Sequence, residues 1–199
     1  MTMRYFTLLT GPASRQCWRL AEPVDAQGHK LGNPYIFTDG KPVSVEGRLK
    51  VAVTTAGKPL DFSLAGASNT PIVSERLAKL LAQGAPDDVQ LLPVDVEGQS
   101  EPHSILVATR TVRCIDDPNC VEVKHWTPKD GYELVVGQYK AIQGLRIDPT
   151  KVGQPQVFRP WGWTVALIVS ENIQQQLARS RFSGMDFEEV TGPKEVRTE

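Results

Sequence analysis

The sequence has no long apolar run and almost no excess of charge of one sign. Its 199 residues include 22 Lys and Arg against 23 Asp and Glu, a formal net charge of −1 at pH 7. This balance does not favour nucleic acid or an anionic membrane as a direct partner. No apolar stretch approaches the roughly 20 residues of a membrane-spanning helix, and residues 5–9 are too few for the apolar core of a signal peptide. We therefore expect a cytoplasmic protein that contacts no membrane.

Cysteine and histidine are also scarce. Three Cys and three His are present, so a disulfide framework is not expected and the protein suits a reducing compartment. Cys114 and Cys120 flank a turn-like segment and can meet across a hairpin, which leaves a bridge between them open. The sequence contains neither a C-x-x-C nor an H-x-x-H spacing. No metal site and no cofactor are therefore predicted.

The common catalytic motifs are missing. The chain has no G-x-x-x-x-G-K-[ST] or G-x-G-x-x-G loop, no G-x-S-x-G elbow and no H-E-x-x-H pair. A nucleophilic pair of Cys114 with His103 or His125 stays open. These residues lie near one another in the sequence, and the sequence does not give their distance in space. We predict no catalytic residues and no enzyme.

The strongest pattern is a similarity between residues 62–94 and residues 158–190. Ile72, Val73, Ser74 and Glu75 recur as Ile168, Val169, Ser170 and Glu171, 96 positions later, and Phe62 and Val94 recur as Phe158 and Val190 at the same distance. The shared distance favours an internal pseudo-repeat. The alternative is that an apolar pair, a Ser and a Glu simply begin many helices.

Both copies carry the start signals of an amphipathic helix. Ser74 and Ser170 are N-cap residues whose hydroxyls can accept from a first-turn amide, and the Glu after each Ser suits the helix dipole. Apolar residues then recur every four positions, which places them on one helix face. We predict helices at about residues 74–83 and 170–180.

Most of the remaining chain has strand-like alternation. Strands are predicted at residues 4–9, 48–54, 104–115 and 133–142, among others, with a bend at Gly137 left open in the last of these. Residues 22–47 are predicted to be irregular. No βαβ rhythm is present, so the expected class is α+β with a mostly antiparallel sheet. Residues 1–190 are expected to form one domain, with two lobes of about 1–100 and 101–190 as the alternative, followed by a frayed tail at 191–199.

Three kinds of residue are candidates for partner contact. Arg159, Trp161 and Trp163 lie in an unusual Phe-Arg-Pro-Trp-Gly-Trp segment, where the indoles can either anchor a partner or cap the core. The pairs Asp87-Asp88 and Asp116-Asp117 lie beside Pro or Asn. This setting is more typical of solvated turns than of acid/base chemistry.

Short motifs in a set order run through most of the chain. They are Tyr5-Phe6 and Trp18-Arg19-Leu20, then Pro71 to Leu77 and Pro93-Val94, and finally Phe158-Arg159, Ile168 to Glu171 and Gly184 to Phe187. In this order the chain resembles an immunity protein family of polymorphic toxin systems, first noticed in myxobacteria and formerly a domain of unknown function. The Phe-Arg-Pro-Trp-Gly-Trp segment and the Ile115 to Asn119 turn depart from the family pattern.

The resemblance implies a non-enzymatic protein that binds and neutralises a cognate toxin, encoded by an adjacent gene and delivered in bacterial competition, for example by type VI secretion. The departures from the family pattern, with Asp87 and Asp88, are then the expected partner-binding residues. Acidic turns can speed association with a basic toxin such as a nuclease. The alternatives are a small-ligand or nucleic-acid binding module that uses exposed Trp residues, and an uncharacterised enzyme.

Overall fold

Strands dominate the computed structural model, which describes residues 3–11 and 17–192. The described residues contain fourteen strands and two α-helices. The predicted α+β class is therefore wrong, and the protein is mostly β. The helices cover only 10 and 9 residues, whereas many short segments pair into sheets. Most of the predicted tail, from residue 193 on, lies outside the described residues.

The strands are β1 Tyr5–Thr10, β2 Arg19–Leu20, β3 Leu49–Val51, β4 Val53–Thr55, β5 Phe62–Ala65, β6 Thr70–Ser74, β7 Val89–Val96, β8 His103–Ala108, β9 Thr111–Val112, β10 Glu122–His125, β11 Tyr139–Gln143, β12 Val157–Pro160, β13 Ile168–Ser170 and β14 Met185–Glu189. The helices are α1 Glu75–Gly84 and α2 Glu171–Arg179. Short 3₁₀ turns occur at Asp117–Asn119, Pro128–Asp130, Glu133–Val135 and Pro149–Lys151.

Seven strands form a sheet that nearly closes into a barrel. Their order is β3-β7-β8-β6-β5-β2-β4. The two edge strands, β3 and β4, are separated in the chain by Ala52 alone, so one bent segment supplies both edges. Phe37 and Val43, from the stretch predicted to be irregular, are buried in the core of this barrel. Closure leaves few strand edges open to other chains.

A second sheet has five strands in the order β14-β1-β13-β12-β9. Both helices pack into one apolar cluster with residues of the two sheets: Leu77 and Leu81 from α1, Ile173 and Leu177 from α2, Phe62 and Leu106 from the barrel, and Leu8 and Val169 from the five-stranded sheet. This cluster joins both halves of the chain. The extent of the domain, residues 1–190, stays a prediction.

The two N-cap serines link strand, helix and a preceding side chain. The Ser74 hydroxyl accepts from the Leu77 amide at 3.4 Å and donates to Asp61 at 2.8 Å. The Ser170 hydroxyl accepts from the Ile173 amide at 3.3 Å and donates to Gln156 at 2.7 Å. Each serine therefore fixes its helix to the strand that precedes it.

The two similar segments also take equivalent places in the sheets. Strands β5, β6, helix α1 and β7 follow the same order as β12, β13, α2 and β14, and β8 lies between β6 and β7 as β1 lies between β13 and β14. The expected match of Phe62 with Phe158 is wrong by one residue. Phe62 pairs with Val73, whereas Val157 pairs with Val169. The first strand is thus offset by 95 positions rather than 96.

A half-buried hydrogen-bond cluster around Asp61 ties the start of α1 to the loop after α2. The Asp61 carboxylate accepts from the Ser183 amide and hydroxyl, both at 2.9 Å, and lies 3.2 Å from Arg76. Burial alone would raise the pKa of this carboxyl. The hydrogen bonds from Ser183 and Ser74 outweigh burial and hold the pKa below its usual range.

Replacing Asp61 with Asn is expected to lower the free energy of unfolding at pH 7 by about 1–3 kcal/mol, the usual worth of hydrogen bonds to a charged group. Because the folded-state pKa is depressed, this contribution is complete above the unfolded value near 3.9 and is lost as pH falls through the folded value. Urea unfolding followed by circular dichroism from pH 6 to pH 2.5 should show the wild-type and variant curves converging. Parallel curves would contradict the assignment, and the exposed Asp87→Asn serves as the control.

Candidate partner-binding surface

The pair Asp87 and Asp88 is split between surface and core. Asp87 is exposed, whereas Asp88 is buried. One Asp88 carboxylate oxygen accepts from the Gln156 amide at 2.6 Å, and the other lies 3.6 Å from Arg110. Asp88 therefore holds the start of β12 against the start of β7. The Asp88 carboxylate thus makes its contacts with groups of the protein itself.

The pair Asp116 and Asp117 is half-buried and internally bonded. The Asp116 carboxylate accepts from the Asn119 side-chain amide at 2.7 Å. The Asp117 carboxylate accepts from the Tyr139 hydroxyl at 2.7 Å and lies 3.4 Å from His125. Burial first, and then the bond to Asp117, raise the pKa of Tyr139. Both carboxylates therefore make contacts within the protein.

Arg159 is buried between two loops. Its Nη1 donates to the carbonyls of Thr164 at 2.8 Å and Val165 at 3.1 Å. Its Nε and Nη2 are buried, and within the described residues no group accepts from them. Desolvation lowers the pKa of Arg159 to about 10, against a partial opposing effect of Asp39. The guanidinium positions the loop after Trp163 and is not presented at the surface.

Trp161 and Trp163 are half-buried and take different roles. The Arg113 guanidinium stacks on Trp161, 3.4 Å from the ring centroid, as a cation–π pair. Trp163 packs on the edge of an apolar cluster that includes Phe158 and Ile168. One indole is thus covered by a surface cation, and the other extends the core.

The structure gathers four of the seven predicted residues near one feature. Asp116, Asp117, Trp161 and Trp163 lie around the base of the hairpin formed by β10 and β11. The Tyr139 amide donates to the Gly162 carbonyl at 3.1 Å, and the Tyr139 hydroxyl reaches Asp117. Asp87 and Asp88 lie apart from this base, at the start of β7.

The hairpin, residues 121–143 and called the arm below, stands apart from the main sheets. Its two strands pair only with each other among the described strands. Most of its side chains are exposed or half-buried. The described chain has seven exposed large apolar side chains, and four of them lie in the arm: Val121, Tyr132, Leu134 and Val136.

Residues 126–138 form the tip of the arm and have a defined structure. The Trp126 amide donates to the Gln138 carbonyl at 2.9 Å, and the Gly137 amide donates to the Trp126 carbonyl at 2.9 Å. Thr127 and Asp130 form a capping box, and Asp130 pairs with Lys140. The ring of Trp126 packs edge-on against Tyr132 at 5.2 Å.

The sequence predicted the wrong structure for this tip. Residues 133–142 read as one strand, but Glu133–Val135 form a 3₁₀ turn and the strand begins only at Tyr139. Gly137, with φ +83°, separates the two. The glycine at which a bend was left open therefore separates a turn from a strand, instead of bending one continuous strand.

The residues of the proposed cysteine–histidine pair have separate surroundings. Cys114 is a free, fully buried thiol, and burial raises its pKa to about 12. His103 packs on Trp18 in the barrel, with ring centroids 5.6 Å apart, and His125 pairs with Asp117. The Cys120 sulfur accepts from the Arg146 amide at 3.3 Å. The buried, protonated thiol of Cys114 is a poor nucleophile.

Neither a metal cluster nor a membrane-spanning helix occurs within residues 3–11 and 17–192. No three His, Cys, Asp or Glu side chains converge there as metal ligands would. No helix there has the length and apolar character that crossing a membrane requires.

Comparison with protein-family models gives a match over most of the chain. A family model described as Immunity protein family (Imm11) matches residues 27–192. This range contains both N-cap serines, the arm and all seven predicted site residues. The comparison with curated proteins gave no match.

Proposed function

Because this chain belongs to the Imm11 immunity protein family, we propose that it binds a cognate toxin protein and neutralises it without catalysis. The family match over most of the chain is the observation that carries this proposal. It supports immunity against a toxin in general. The identity of the toxin and the contact surface are the finer parts of the proposal.

The fold suits an inhibitor that acts by occupying its target. Tight protein inhibitors combine an interface of roughly 1,600 Å² with a few well-packed anchor residues. A nearly closed barrel joined to a second sheet by one apolar cluster offers a rigid scaffold. The arm offers exposed apolar side chains beyond that scaffold.

The predicted partner-binding residues now fall into two groups. Asp87, Asp116, Asp117, Trp161 and Trp163 have exposed or half-buried side chains and remain proposed contacts. Asp88 and Arg159 are buried and engaged internally. Their contribution to binding is therefore proposed to be indirect, through the segments that they hold.

The biological setting is proposed to be a polymorphic toxin system of competing bacteria. In this setting the toxin is encoded by an adjacent gene, is delivered by a route such as type VI secretion, and is met in the cytoplasm. The resemblance of the ordered motifs and the family match both support this setting.

Co-expression with the toxin of the adjacent gene is expected to restore growth of a host that the toxin alone kills, and to yield a stable complex on size-exclusion chromatography. A co-expressed variant with a stop codon before α1 is the control. A binding inhibitor should block purified toxin at a molar ratio near one, because each molecule occupies one target. Protection at far lower ratios would indicate catalysis. Failure of both rescue and complex formation with every adjacent gene product would refute the proposal.

A further inference from the structure

The tip of the arm carries three exposed apolar side chains within five residues. We propose that Tyr132, Leu134 and Val136 are the anchor that inserts into an apolar cleft of the cognate toxin. This inference rests on the proposed function and names the surface and the chemistry of the partner. No sequence motif assigned these residues to binding.

Exposure is the first reason to assign them. Leu134 is 96% exposed, Tyr132 62% and Val136 41%. A Leu with almost its whole side chain in water contributes nothing to the core, and neighbouring exposed apolar residues mark interaction sites. A Tyr adds a large, rigid contact at low cost in conformational entropy.

The shape of the tip is the second reason. The capping box of Thr127 and Asp130, the Trp126–Tyr132 ring contact and the backbone bonds at Gly137 hold it in one conformation. A tip that is ordered before binding loses less entropy when it docks. The hairpin is narrow and projects from the main sheets. It therefore fits a concave partner surface better than it fits the equally convex tip of a second copy of the chain.

The charges of the arm define what the partner cleft must be. Glu122 pairs with Lys124 at 2.8 Å, Asp130 pairs with Lys140, and His125 lies 3.4 Å from Asp117. The tip also carries exposed Lys129 and Glu133. With three acidic and three basic side chains in residues 121–143, the arm has no net charge, so the complementary surface is apolar rather than strongly basic. The affinity is then expected to depend weakly on salt, because the arm brings no net charge to the interface.

The test uses the full chain and the purified toxin domain encoded by the adjacent gene, with affinity measured by biolayer interferometry. Leu134→Asp is expected to weaken binding at least about 100-fold and to abolish growth rescue, as loss of a hot spot does. Tyr132→Ala should weaken it at least about tenfold. Tyr35→Asp is the matched control: Tyr35 is 57% exposed, lies outside the arm, and should change affinity less than about threefold.

Each outcome separates the inference from the proposed function. Leu134→Asp must keep the wild-type melting temperature, because its parent side chain is exposed. If the wild-type protein binds and the tip variants bind equally well, the tip is not the anchor, although the immunity function stands. If the wild-type protein neither binds nor rescues, the proposed function fails first. If wild-type dimers on light scattering are broken by Leu134→Asp without loss of toxin affinity, the tip serves self-association and the inference is overturned.

Discussion

Replacing Gly184 with Ala is expected to lower the free energy of unfolding by about 3 kcal/mol or more. Gly184 has φ +85°, and a Cβ added there would lie 2.2 Å from the Phe62 carbonyl oxygen and 2.9 Å from the Leu60 Cβ. Left-handed backbone costs a non-Gly residue about 1–3 kcal/mol, and overpacking adds a similar amount. Because the oxygen belongs to the backbone of β5, it cannot move aside as a flexible side chain can.

The clash would break a junction between the two main sheets. The Gly184 carbonyl accepts from the Gly11 amide at 3.1 Å, and the Ser183 carbonyl accepts from the Phe62 amide at 3.1 Å. Gly98→Ala isolates the effect of the backbone alone. Gly98 has φ +71° and nothing within 4 Å of the added Cβ, so its cost should stay near 1 kcal/mol. Chemical denaturation of both variants measures the difference, and equal costs would contradict the predicted steric clash.

Replacing Asp88 with Ala is expected to cost about 3 kcal/mol of unfolding free energy. The change would leave the half-buried Gln156 amide and the buried Val157 amide without their carboxylate acceptor, and Arg110 without its ion-pair partner. A buried donor without an acceptor costs about 1–3 kcal/mol, and bonds to a charged group lie at the upper end. Strand β12 would then lose its fixed start beside β7.

The neighbouring Asp87→Ala is a control that differs by one position. Asp87 is exposed, and a surface substitution is expected to change stability by less than about 0.5 kcal/mol. Asp88→Asn should recover part of the loss, because its amide oxygen can still accept from the Gln156 amide. Thermal unfolding of the three variants measures the order. Equal melting temperatures for Asp87→Ala and Asp88→Ala would show that Asp88 is not a structural bridge.

The helices could be predicted from the sequence because their signals are local. Ser74 and Ser170 precede a Glu and an apolar stripe at four-residue spacing, and both form the N-cap bonds that this pattern predicts. The fold class could not be predicted in this way, because it depends on the pairing of strands that lie far apart in the chain. The closure of the barrel through Ala52 and the parallel pairing of β9 with β12 leave no mark on local periodicity.

The candidate surface was predicted only in part, for a similar reason. Residue type selected Trp161, Asp116 and Asp117 as candidates for partner contact, and these residues lie at the base of the arm. Residue type does not give burial, so it could not separate Asp87 from Asp88. Nor could it show that Leu134, in an apolar run typical of a buried strand, lies in solvent.

The pairing of the first described strand with the last two sets an order of events during protein synthesis. The barrel needs only strands from β2 to β8, all of which have left the ribosome once residue 108 has emerged. Strand β1 must wait for β13 and β14; the ion pair of Arg4 with Glu171 spans 167 positions. Until then β1 has no strand with which to pair, and an unpaired strand edge favours aggregation in a nascent chain. A circular permutation that places β1 after β14 shortens this wait and is expected to raise the soluble yield.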